Sequence, residues 1–453
     1  MNEKALKENK LTLQRLLHLN EESSKKILGS SILVSVNPKY NRLQEYLVTI
    51  LKRTFEKVHT SPDESVIYNC EIFCSESERK TKVAFVHLGE ADRKIIISSV
   101  TLNSTLPDNL HSFIYYLVAC YSGAVVLKTI FTDLKENCSE IFLDYRSLIK
   151  NEKILSKSFD AGHIYMAGAG AIGNSFLYAL SNFNVEGTLS ICDPDIISGG
   201  NLNRCLFFED SDIDKNKVDV LSKKAQPLFK NLKIIPIPFE LGKVPNRPDG
   251  EWLKKLVVGV DSRRARRNLQ QELPFEVFDA STTGIAEVVV YHGKVGSNGS
   301  CLGCIYKREI QEEAHEEHIA EALGVTIGHI RKQFIDTESA ALIATKYHIK
   351  QKELLGIPFD TVFKQLCGEG RLMTETNLQV LAPLAFVSAL AGGLLALRFL
   401  EEHFNLGQYN YWRISPWSEM NFRLQQNRMK DLECEICNGP DYQKAIKEFW
   451  NID

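Results

Sequence analysis

Six residues, Gly168-Ala-Gly170-Ala-Ile-Gly173, constrain this chain more than any others. They follow a short apolar run at 163–167 and open a helical pattern that continues through Ser181. A strand that turns through closely spaced glycines into a helix lets backbone N–H groups approach a phosphate at the helix N-terminus. Asp193 lies 193 − 173 = 20 residues farther on, at the end of the next predicted strand (188–192), where a carboxylate can hold a ribose hydroxyl. Further strands at 232–238 and 256–260 alternate with helical patterns, which predicts an α/β fold with a doubly wound, Rossmann-like parallel sheet. On its own this loop reads as the site of an NAD-dependent oxidoreductase.

The residues after the loop change that reading. In Asp193-Pro-Asp195-Ile-Ile-Ser-Gly-Gly-Asn201-Leu-Asn-Arg204 an amide and a guanidinium follow the ribose-binding acid. Lys217 comes 13 residues after Arg204, and Asp261 ends the apolar stretch Val257-Val-Gly-Val-Asp261, ahead of Ser-Arg-Arg-Ala-Arg266. Hydride transfer has no use for an Arg, a Lys and a second acid around its phosphates. A triphosphate has, because cations offset its charge and an acid holds Mg²⁺.

At these residues the chain resembles the ThiF/MoeB/ubiquitin-activating superfamily. That family's order is GxGxxG, then D-x-D-x-x-x-x-x-N-L-x-R, a Lys, and a strand-end Asp with A-R after it. The resemblance covers roughly 160–440. It implies ATP with Mg²⁺ and adenylation of the C-terminal carboxylate of a small protein. By position, Asp193 and Asp195 fall in the nucleotide site with Gly168, Gly170 and Gly173, and Asp193 holds the ribose. Asn201, Arg204 and Lys217 contact phosphates, and Asp261 binds Mg²⁺. A homodimer is also implied. Family members often carry R-Y-x-R-Q near the N-terminus, with an Arg reaching a neighbouring subunit's ATP. The echo here, Lys39-Tyr-Asn-Arg42, lies 168 − 42 = 126 residues before the glycine loop, much farther than in short members, and stays outside the site.

Cysteine usage supplies a second constellation. Eleven Cys, an odd number, in a chain whose polar start MNEKALKENK has no apolar signal core argue for metal or catalytic use rather than a disulfide framework. Cys301-Leu-Gly-Cys304 and Cys434-Glu-Ile-Cys437 are two CxxC pairs separated by 434 − 304 = 130 positions. Two such pairs make a tetrahedral thiolate site for structural Zn²⁺, provided tertiary folding brings them together. The superfamily has the same two pairs. It also places a Cys ahead of an apolar run as acceptor of the acyl group, which makes Cys367, in Cys367-Gly-Glu-Gly, the catalytic candidate for a thioester. The other six cysteines read as core or incidental.

Residues 1–150 read as an N-terminal α/β accessory domain, degenerate Rossmann-like in pattern. Residues 151–453 form the adenylation domain, with a charged helical insert at 308–363 that short family members lack. Within it, 318–331 resembles the start of a helix-turn-helix. Lys+Arg of 54 against Asp+Glu of 57 gives a net charge of −3, which favours partner docking over nucleic-acid binding. The uncharged run 380–397 contains Pro383 and Gly392-Gly393 and reads as a core helix, not a membrane span. The expectation is therefore a cytoplasmic ATP-dependent activating enzyme for a ubiquitin-like protein. Cys367 passes the carrier to a conjugating enzyme, on the general plan of bacterial ubiquitin-like conjugation systems. The alternatives are a sulfur-carrier adenylyltransferase, adenylation of a peptide carboxylate, and a non-catalytic scaffold.

Overall fold

A computed structural model of the chain describes residues 2–16, 18–131, 140–245, 252–283, 287–308, 310–331, 335–355, 359–366 and 382–452. Met1–Tyr306 with Ala382–Asp453 form one compact unit, and Lys307–Leu381 forms a second.

The first unit holds two sheets. In the N-terminal one, β1 (Ser31–Val34), β2 (Lys57–His59), β3 (Cys70–Phe73), β4 (Ala84–Ala91), β5 (Lys94–Ser98) and β6 (Glu140–Leu143) lie in the order β2-β1-β3-β4-β5-β6. The first four strands run parallel, and the last two are antiparallel additions. The second sheet is built from β7 (Ser158–Ala167), β8 (Asn184–Cys192), β9 (Asn231–Ile237), β10 (Lys255–Val258), β11 (Glu276–Thr283), β12 (Glu287–Lys294), β13 (Tyr411–Ile414) and β14 (Gln425–Gln426). Its order is β14-β13-β12-β11-β10-β7-β8-β9. Strands β7 to β10 are parallel, as the alternating pattern predicts; β11, which the pattern does not predict, adds a fifth parallel strand beside β10, and β12 to β14 extend the sheet antiparallel. The last four residues of β7 and of β8 are buried, as in a parallel strand covered on both faces. One apolar cluster runs through both sheets, from Ile32 and Ile72 to Ile164, Met166 and Leu189.

Of the run at 380–397, the part from Ala385 on folds as the helix Ala385–His403, whose first thirteen residues are all buried. Its glycine pair serves close packing. A Cβ on Gly392 would stand 2.4 Å from the backbone N of Phe176, and one on Gly393 would stand 2.6 Å from the Tyr116 ring. Gly392 thus lets this helix lie directly against Ala171–Leu180, the helix that leaves the glycine loop. Among the described residues one helix, Ser112–Ile130, is long and apolar enough to cross a membrane, and 94% of its most apolar 18-residue window is buried inside the protein. The pattern predicts a helix over 110–121 and a separate strand over 124–131, whereas a single helix spans the stretch. Val125 and Val126 favour a strand locally, but burial on every side of the helix outweighs that preference.

The second unit, described by itself, is helical: Ile310–Leu323, Ile327–Arg331, Thr337–Tyr347 and Phe359–Leu366. Ile319, Leu323, Ile330, Ile343 and Phe359 make its core. Asp336 caps the third helix by accepting from the N–H of Ser339 at 2.8 Å.

Candidate nucleotide site and cysteine cluster

The glycine loop sits where the C-terminal ends of β7, β8 and β10 meet. Gly168 N–H donates to Cys192 O at 2.9 Å, and Gly259 N–H donates to Ala167 O at 2.8 Å. Gly168 has φ +100, and a Cβ there would stand 2.8 Å from Gly259 O. A Cβ on Gly173 would stand 2.3 Å from Gly168 O, so the helix can turn back over the loop only without one. Gly170 differs: nothing lies within 4 Å of the position its Cβ would take. It begins the helix Ala171–Leu180, which has no side-chain cap. Open space before an uncapped helix N-terminus is the geometry that receives an anion.

Asp193, Asp195 and Lys217 gather beside this loop, while the contacts of Asn201 and Arg204 stay within their own segment. Asp193 is buried, and its carboxylate accepts from Ala169 N–H at 2.7 Å and from Asp195 N–H at 2.9 Å. Burial pushes Asp193 above the usual carboxylate range, with Lys217 opposing. Lys217 Nζ donates to Asp195 Oδ2 at 2.7 Å. Burial disfavours its charge, but Asp193 and Asp195 outweigh that and hold it above the ordinary lysine value, so the ammonium persists. Arg204 donates to Asn203 Oδ1 at 2.7 Å and to Gly200 O at 3.1 Å. Asn201 accepts from Ser198 N–H at 2.9 Å and thereby caps its own turn, Gly199–Asn203. Burial raises the Cys205 thiol, while Arg204, Lys217 and Arg53 pull it down, which places three cations around one buried sulfur. Asp261 is exposed just beyond β10. Next to it, Ser262 caps the helix Arg263–Gln271 by accepting from Ala265 N–H at 3.0 Å. Behind it, buried Arg266 donates to Asp279 Oδ1 at 2.9 Å and to Ala280 O at 3.1 Å. Tyr306 donates to the other oxygen of Asp279.

Two supporting residues carry no motif. Asn174 is fully buried; its amide donates to Ala169 O and Gly170 O at 2.9 Å each and accepts from Phe207 N–H at 3.2 Å. It ties the glycine loop to the segment after Arg204, and a polar residue on an apolar helix was its sequence signal. Arg53 comes from the N-terminal layer. Its guanidinium donates to three carbonyls of the same segment: Phe208 O at 2.6 Å, Leu206 O at 2.7 Å and Leu202 O at 3.1 Å. Asn9 joins it by accepting from the Asn203 amide at 2.9 Å. Arg42, the residue of the N-terminal echo, pairs with Glu45 on its own helix at 2.9 Å.

The two CxxC pairs meet. Cys301 Sγ is 3.7 Å from Cys304 Sγ and 3.6 Å from Cys434 Sγ, and Cys304 Sγ is 3.4 Å from Cys437 Sγ. All four ligand atoms lie within 4.8 Å of one another. These separations are too long for disulfides and close to the ~3.8 Å edge of a tetrahedron with metal–sulfur bonds of about 2.3 Å. The N–H of Asp431 donates to Cys304 Sγ at 3.4 Å, the outer contact expected around a thiolate. Gly303 keeps the first pair tight, since a Cβ there would stand 3.2 Å from Cys434 Sγ. Cys367 lies outside the described residues.

Comparison with known proteins follows the same lines. An uncharacterized protein, y4jF, of Sinorhizobium fredii is 22% identical over 357 residues, which cover 73% of this chain and 68% of that one. The human ubiquitin-like modifier-activating enzyme 7 is 33% identical over 113 residues, 23% of this chain. The catalytic subunit of the NEDD8-activating enzyme of Schizosaccharomyces pombe is 30% identical over 128 residues, 27% of this chain. The matched stretches span 11% and 28% of those two enzymes. Among solved structures, E. coli MccB with ATP matches with a TM-score of 0.40 and 14% identity, covering 78% of this chain and 98% of that one. The family model that matches is that of ThiF, over residues 144–436, a stretch holding the glycine loop, the acids and cations after it, the first CxxC pair and Cys434, and the chain belongs to the ThiF family.

Proposed function

We propose that this protein activates the C-terminal carboxylate of a ubiquitin-like protein by ATP-dependent adenylation. The observation that carries the reading is the buried, charged Lys217, paired with Asp195 beside the Asp193 that the glycine loop holds, a cation that an incoming phosphate can take over as its partner. The open space at Gly170 admits the phosphates, and Asp193, at the end of β8, is the acid that would hold a ribose hydroxyl. Arg204 offsets charge on the pyrophosphate leaving group, and exposed Asp261 supplies an oxygen ligand for Mg²⁺. A carboxylate oxygen of the carrier attacks the α-phosphorus, the bond to the bridging oxygen breaks, and pyrophosphate leaves with that electron pair. The Cys367 thiolate then attacks the acyl carbon, AMP leaves, and the thioester passes to a conjugating enzyme. Zn²⁺ fits the four thiolates by their donor chemistry and spacing, and Cys301, Cys304, Cys434 and Cys437 would hold it as a structural ion that ties the segment after β12 to the segment before the C-terminal helix.

The test is ATP–pyrophosphate exchange with a recombinant ubiquitin-like protein ending in a free Gly-Gly carboxylate. Asp261→Ala should lower exchange at least 100-fold. Cys367→Ala should keep exchange and lose a reductant-sensitive adduct with the carrier. Exchange that persists unchanged in Asp261→Ala removes the metal assignment. An adduct absent from wild type turns the reading to direct transfer from the adenylate, as in sulfur-carrier or peptide activation.

A further inference from the structure

A cavity of about 220 Å³ lies at the end of the second sheet opposite the glycine loop. The nucleotide motifs occupy the C-terminal ends of β7, β8 and β10. The cavity opens at the start of β11 and the end of β12, where Lys294 pairs with Glu276, and Cys301 and Cys437 form part of its wall. The helix Pro440–Trp450 closes it. That helix is seated by Tyr442, which accepts from the Gln270 amide at 2.7 Å, and by Trp450, whose indole N–H donates to Leu273 O at 2.8 Å.

Its floor is apolar: Phe275, Val277, Tyr291 and Ile446. Its charged lining residues are Lys294, Lys430 and Lys447, all exposed, with no carboxylate among the described residues that line it. The chain as a whole is net negative, so three ammonium groups around one apolar hollow are a local departure. Ser300, also a lining residue, is buried, and its hydroxyl has no hydrogen-bond partner among the described residues. The rim is held in place, since Lys430 N–H donates to Asn298 O at 3.2 Å and Ser300 N–H donates to Arg428 O at 2.8 Å. Within two residues of Lys430 or Lys447 in sequence stand large exposed apolar side chains: Leu432 is 90% exposed, Met429 62% and Phe449 45%. Exposed apolar side chains that flank a hollow's lining residues in the chain mark a protein contact rather than a small-molecule pocket.

We propose that this hollow is a docking site for an acidic peptide segment of a protein partner, which inserts one bulky apolar side chain between Phe275 and Ile446 and sets its carboxylates against Lys294, Lys430 and Lys447. The site is separate from the adenylation centre and independent of which carboxylate that centre activates. The probe is a fluorescein-labelled peptide, acetyl-Asp-Asp-Leu-Phe-Asp-Glu-amide, followed by anisotropy on the full chain. Wild type should bind it, and more weakly as salt rises. The double variant Lys430→Glu/Lys447→Glu, on exposed positions that leave folding intact, should lose at least tenfold in affinity, with ATP–pyrophosphate exchange unchanged. Ile446→Trp should block insertion, and a peptide with Ala-Ala for Leu-Phe should fail to bind. Equal binding by wild type and the lysine variant overturns the proposal, as does no binding at millimolar peptide. Octanoate displacing nothing supports it, and octanoate saturating the site while the peptide does not bind overturns it in favour of a small acid.

Discussion

Replacing Arg53 by Met should loosen the nucleotide segment from a distance. Met keeps most of the apolar stem and removes every donor. The wild-type guanidinium serves Leu202, Leu206 and Phe208 with three hydrogen bonds between 2.6 and 3.1 Å. Burial lowers the Arg53 pKa somewhat, yet a guanidinium stays charged. A hydrogen bond from a charged donor contributes about 1.5 to 3 kcal/mol. Arg53 is only half-buried, so the low end applies, and three bonds at about 1.5 give a ceiling near 4.5 kcal/mol. Shared geometry makes such terms less than additive, which leaves an expected loss of about 3 to 4 kcal/mol. Urea unfolding measures it as a lower midpoint at unchanged slope. Because the same segment carries Arg204, KM for ATP in the exchange assay should rise more than kcat falls. Arg53→Lys retains one of the three bonds and should recover part of both effects. A loss under about 1 kcal/mol with unchanged KM refutes the reasoning, since it would mean water satisfies those carbonyls as well as the arginine does.

Elemental analysis should find about one zinc per chain, and Cys434→Ser should lose the metal and destabilise the protein, because metal binding and folding are coupled. The two glycines should separate: Gly170→Ala places its methyl in open space and should fold normally, whereas Gly173→Ala meets Gly168 O at 2.3 Å and should lower the melting temperature and abolish exchange together. Burial raises Glu401 to about 7, against Arg398 and Lys150, from an ordinary 4.5. The stability tied to its proton is full below pH 4.5 and lost as pH rises through 7, so Glu401→Gln should exceed wild type by roughly 3 kcal/mol at pH 8 and match it near pH 4 in denaturant titrations.

What was legible in the sequence follows from which chemistry leaves a mark there. The glycine loop, Asp193, Lys217 and the two CxxC pairs were readable because each needs one residue type at one spacing, and the structure brings each set together. The parallel core of the second sheet was readable for the same reason, since its buried strands leave apolar runs bounded by glycine and aspartate. The antiparallel extension through β13 and β14 was not, because β13 joins β12 across more than a hundred residues of sequence. Arg53 left no sign of its role, and Asn174 only the general one of a polar residue on an apolar helix. Both act on backbone carbonyls and N–H groups, which every residue possesses, so their partners at 202–208 leave no pattern to match. The same holds for the N-terminal layer. Its sequence shows no site of its own, yet Asn9 and Arg53 both fasten the segment on which Asn201 and Arg204 stand. The adenylation motif is thus completed by residues more than a hundred positions upstream. A truncation that removes the first 150 residues should therefore cost nucleotide affinity as well as solubility, even though every residue of the motif is retained.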